Sequence, residues 1–95
     1  MTEAERNQKI EEEVVKTKAL KDDYVATFSS EYGQRVLADL RKRGFFNKTL
    51  YMPGIDAIGL ALREGQRIVV IHIDNMMSLD MNKIKEQYEK QIKED

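Results

Sequence analysis

The sequence predicts an all-α fold: a small bundle of three to four helices around a central hydrophobic helix at about 66–79. Three observations lead there. From Glu3 to about Phe28 the chain has neither proline nor glycine and is rich in helix formers. Residues 31–43 carry helix signals at both ends. The run Ile68-Val69-Val70-Ile71-His72-Ile73 has strand-like composition but too little partner strand elsewhere to satisfy its backbone.

The first helix, expected over about 3–28, places Ile10, Val14, Tyr24, Val25 and Phe28 roughly along one stripe. The stripe is thin before Val14, so the first ten or so residues are expected to fray unless a partner covers them. Glu11-Glu12-Glu13 crosses it and reads as a solvated face rather than a cation or basic-partner site.

For the second helix, Ser29-Ser30 offers an N-cap oxygen and Glu31 a favourable negative charge in the first turn. Tyr32, Val36 and Leu40 recur every four residues, with Leu37 beside them. Arg41, Lys42 and Arg43 complement the dipole at the carboxyl end. Gly44 then reads as a left-handed C′ residue, with Leu40 and Phe45 as the hydrophobic pair of a Schellman ending.

Residues 45–53 form an aromatic connector, too apolar for a free loop, which Asn47 and Pro53-Gly54 punctuate. Beyond it, Leu62, Val69, Ile73 and Met76 share a face if the chain is helical. Ile68 and Ile71 point elsewhere, which makes this helix apolar nearly all round and therefore central. A shorter helix over 55–63 is expected before it, with a break or kink around Gly65. The last helix, about 80–93, starts from Ser78 or Asp80 as cap and carries the stripe Met81, Ile84, Tyr88 and Ile92. Met76, Met77 and Met81 read as core filling rather than as an adaptable binding surface.

Ninety-five residues suit one domain, with a core at about 24–79 between charged terminal helices. A formal net charge of −1 argues against a polyanion binder driven by overall charge. Zero cysteines exclude disulfides, thiolate metal sites and a cysteine nucleophile. No apolar run approaches the ~20 residues of a membrane span, and the polar, acidic start is unlike a secretory leader. The composition points to a soluble, intracellular protein.

Little chemistry is visible. His72 is the sole histidine; with Asp74 it forms His-x-Asp, but on a helix the two point about 200° apart. It reads as a core or boundary histidine with one hydrogen bond. The serines have roles as caps, and the five glycines form neither a P-loop nor a dinucleotide fingerprint. The expectation is a non-enzymatic protein with no cofactor and no metal. Arg35, Arg41, Lys42, Arg43 and Lys48, with Phe45, Phe46 and Tyr51 nearby, are the candidate nucleic-acid contacts. The aromatics are better used in the core, and the basic run is also explained by the helix terminus.

Two blocks carry a resemblance. Phe28-Ser29-Ser30-Glu31-Tyr32-Gly33-Gln34-Arg35-Val36-Leu37-Ala38-Asp39-Leu40-Arg41 is one. Arg63-Glu64-Gly65-Gln66-Arg67, leading into the Ile/Val run, is the other. Together they resemble a small protein family of short-tailed bacteriophages, encoded near portal, scaffold and capsid genes. The resemblance covers about 28–79 and leaves both charged ends outside. It implies a role in virion structure or assembly, a helical reading of 66–79, and no catalytic residues. Glu64 and Arg67 are spaced to pair across one turn. Arg35 and Arg67 read equally as buried or interfacial pairs and as surface charge.

The expectation is therefore a helical subunit that binds portal, capsid or internal head proteins, located in the virion and in the host cytoplasm during assembly. A homo-oligomer is open as well. Tyr24, Phe28, Ile84, Tyr88 and Ile92 on the terminal helices are the candidate partner contacts. The rivals are a nucleic-acid-binding accessory and an early inhibitor of a host enzyme.

Overall fold

The computed structural model describes residues 1–44 and 53–94. These form four helices and no strand: α1 (Glu3–Ser29), α2 (Glu31–Arg43), α3 (Ala57–Met77) and α4 (Met81–Glu94). The Ile/Val run is wound into α3, as its lack of a partner strand requires. Of the expected aromatic connector, residues 45–52 lie outside the described residues, and so does the place of Phe45 in a Schellman ending.

α1 is the spine, about 40 Å long at 1.5 Å per residue. It packs against each of the other three helices. At its start Thr2 is the N-cap, its Oγ1 accepting a hydrogen bond from the Glu5 amide at 3.1 Å. α4 also covers the early turns and runs antiparallel to α1. The Lys21 ammonium donates to the Leu79 carbonyl, and the Thr17 and Tyr88 hydroxyls meet at 2.9 Å. Ile10 lies against the end of α4 beside Glu89 and Ile92, and is buried. The one-sided stripe of α4 expected from Met81, Ile84, Tyr88 and Ile92 is half-buried throughout.

The caps sort themselves by geometry. Ser30, in extended conformation, accepts from the Gly33 amide at 2.9 Å and starts α2. Asp56 accepts from the Gly59 amide at 2.7 Å and starts α3. Of the two candidates for α4, Asp80 is the cap, accepting from the Asn82 amide at 3.0 Å. Ser78 instead closes α3, its hydroxyl donating to the Asp74 carbonyl at 3.0 Å.

Three local expectations need correction. Gly44 is not left-handed: it has φ −86° and ψ 7°, and its amide returns to the Leu40 carbonyl at 2.8 Å. A side chain there would run into Val70, so close approach of α3 is what calls for glycine. α3 does not break near Gly65 but continues from Ala57 to Met77. A single glycine costs a helix only ~1 kcal/mol, and it keeps its amide hydrogen bond. The buried face of α2 is Gly33, Leu37 and Gly44 with Leu40 half-buried, whereas Tyr32 and Val36 are exposed.

The buried apolar side chains among the described residues are Ile10, Leu37, Val70, Ile73 and Met76, so α3 supplies more of the core than any other helix. It is not enclosed all round, however: Ile68 and Val69 stay 55% and 61% exposed. The molecule is long and flat, 57 × 35 × 15 Å, with a radius of gyration of 18.0 Å. A compact chain of this length would have about 12 Å.

Candidate functional site

An open, mostly apolar groove lies between the second half of α1 and the middle of α3. Leu20, Asp23, Tyr24, Thr27 and Phe28 line one side, and Val69, His72 and Ile73 the other, around ≈ 370 Å³. It exists because α1 places Leu20, Tyr24 and Phe28 at i, i+4 and i+8, on one stripe facing α3. Tyr24 and Phe28 stack with centroids 6.3 Å apart. The Tyr24 ring also meets His72 edge-on, at 5.7 Å and 85°.

His72 is therefore a surface ring packed on a tyrosine, not the core or boundary histidine expected. Asp74 turns to α2 and pairs with Arg41 at 2.5 Å, so the two residues of His-x-Asp serve different neighbours and form no dyad. The groove offers apolar contact area with one carboxylate at its edge.

The five candidate partner contacts separate. Tyr24 and Phe28 face the groove. Tyr88 and Ile92 are engaged with α1 through Thr17 and the Ile10 neighbourhood, and Ile84 is half-buried on the same helix. The Thr17–Tyr88 contact fixes how α4 lies along α1. Removing one hydroxyl of a half-buried pair is expected to cost about 0.5–1.5 kcal/mol. Tyr88→Phe and Thr17→Val should each lower the urea midpoint, and the double variant should be no worse than their larger single effect.

The basic group does not form a free cationic stripe. Arg35 pairs with Glu31 at 3.1 Å and its guanidinium lies 4.9 Å over the Tyr32 ring. Arg43 pairs with Asp39 at 2.8 Å; that hydrogen bond, then the carboxylate's charge, raises its pKa above the ordinary value. Arg41 bonds Asp74. Lys42 is exposed, and Lys48 lies outside the described residues. Three of the four described cations thus already hold carboxylates. Arg35–Glu31 is plain surface charge, 59% and 85% exposed, and such pairs contribute ~0–1 kcal/mol. Glu64 and Arg67 do meet across one turn, though at 3.9 Å.

Sequence reasoning missed Leu20 and Val69 as groove residues. The signal was present in the four-residue spacing of Leu20, Tyr24 and Phe28, but an exposed leucine on a charged helix reads as incidental. No described helix is long and apolar enough to cross a membrane.

Four helices and no strand among the described residues, with a phage-family sequence pattern over 24–93, define a small all-α bacteriophage protein. Within that class, the chain belongs to the Bbp19-like phage protein family. The match reaches further than the resemblance over 28–79: it takes in α4, while most of α1 lies ahead of it. No curated protein and no solved structure matches the chain significantly.

Proposed function

We propose that this chain is a non-enzymatic structural or assembly protein of the virion, a helical subunit that docks on portal, capsid or internal head proteins. The observation that carries the reading is the groove of Leu20, Tyr24, Phe28 and His72 on a member of a phage family. Its lining is nearly all apolar, which is poor for chemistry on a polar substrate and good for seating a partner's side chains. The gene setting among portal, scaffold and capsid genes of short-tailed phages, implied by the two sequence blocks, points the same way. The charge pairing of Arg35, Arg41 and Arg43 favours a protein partner over nucleic acid.

Mass spectrometry of purified virions tests it. The chain is expected at a fixed copy number per particle, and a Leu20→Glu variant is expected to be depleted from particles at least tenfold while remaining folded in the lysate. Absence from virions, with capture on a host enzyme from infected cells, would replace this reading with that of an early inhibitor.

A further inference from the structure

The four helices are held together unevenly. Among the described residues, four of the five buried apolar side chains, Leu37, Val70, Ile73 and Met76, lie on α2 and α3. α4 packs against α1 and against no other described helix, and none of its described side chains is fully buried. Its seat is narrow. Ile10, Thr17 and Lys21 fall within an arc of about 40° on α1, at 100° per residue. Ile10 is buried beside Ile92, the Thr17 and Tyr88 hydroxyls meet at 2.9 Å, and the Lys21 ammonium donates to the Leu79 carbonyl.

We propose that α4 is a strap: it lifts off α1 as one unit about the corner at residues 78–80, while α2, α3 and the second half of α1 stay packed. The pivot is short and already tied. Ser78, Leu79 and Asp80 alone separate α3 from α4, and Lys21 bonds Leu79 inside that corner, so this bond survives lifting. Lifting gives up the Thr17–Tyr88 contact and the cover over Ile10, and neither involves the side chains buried on α2 and α3. A region with so few buried contacts opens at a smaller free energy than the whole molecule. Three of the five candidate partner contacts, Ile84, Tyr88 and Ile92, are half-buried in the closed form and bare in the lifted one. Once lifted, α4 is a lone helix of 14 residues, too short to keep its hydrogen bonds in water, so its amides report the event.

Native-state hydrogen exchange of the full chain, followed by NMR in low urea, tests this and does not rest on the virion reading. Amides of residues 84–92 are expected to share one opening free energy and one shallow urea dependence. Their protection should lie about 100-fold or more below that of residues 70–76. Ile73→Val, which removes one buried methyl group from α3, should lower protection there roughly fivefold and leave α4 unchanged, because lifting does not disturb that site. A urea dependence of α4 equal to that of α3 would show a single cooperative unit and overturn the proposal. Loss of α4 protection in step with α3 in Ile73→Val would do the same. Protection that decays steadily from residue 84 to 94 would also overturn it, since that is fraying of a chain end rather than release of a strap.

Discussion

A Gly33→Ala chain is expected to lose about 3 kcal/mol of stability, seen as a large drop in urea midpoint with the m-value retained. Helix propensity alone predicts the opposite sign: alanine in place of glycine within a helix gains ~1 kcal/mol. Gly33 sits in the first turn of α2, immediately after the corner at Ser30, and is buried. A Cβ at this position would run into the Thr27 carbonyl and lie 2.8 Å from the Phe28 Cα. Those atoms are backbone, so no side chain can swing aside; the corner itself must open. Opening it also weakens the Gly33 amide bond to Ser30, and with it the cap. A chain this small has on the order of 5–14 kcal/mol in total, so one methyl group takes a substantial share. A gain in stability would show that α2 leaves α1 at a different angle.

The same corner shows where sequence reading reaches and where it stops. Ser30 as cap, the basic end at 41–43 and the helical winding of 66–79 were legible, because each follows from local chemistry or from the absence of a strand partner. The role of Gly33 was not. A stripe search counts apolar side chains, and a glycine contributes none, so Tyr32–Val36–Leu40 outscored the true contact face of Gly33, Leu37, Leu40 and Gly44. Gly44 was recognised as a helix end but given the wrong conformation, since only the position of Val70 shows that space rather than φ is limiting. Arg41 and Asp74 are 33 residues apart, and no spacing rule brings them together. The candidate site was half legible for the same reason. Tyr24 and Phe28 declare themselves as aromatics on a helix, whereas Leu20 and Val69 become a surface only once α1 stops short of covering α3. A break was expected near Gly65 because glycine was read as a breaker; within a helix of 21 residues, capped by Asp56, it is absorbed.

Leu37 gives the other large effect, and it decides between the two faces of α2. The side chain is 4% exposed, on the face held between the close contacts at Gly33 and Gly44. Truncation to alanine removes buried methyl groups where neighbouring backbones are already in contact and cannot collapse into the gap. The expected loss is therefore in the upper part of the usual range, about 3–4 kcal/mol. Val36→Ala, one residue away, should change stability by no more than about 0.5 kcal/mol, with a slight gain allowed by propensity, because Val36 is 52% exposed. If the face read from the four-residue repeat of Tyr32, Val36 and Leu40 were the packed one, these magnitudes would be reversed. Urea denaturation of the two variants side by side reads the difference directly. The comparison bears on function as well. Leu37 holds α2 in place, and Arg41 of that helix ties Asp74 on α3, so a slack α2 would free α3 to shift against α1. Leu37→Ala is then expected to weaken any partner that binds the groove between α1 and α3, although it touches none of the groove's residues, while Val36→Ala leaves that binding unchanged.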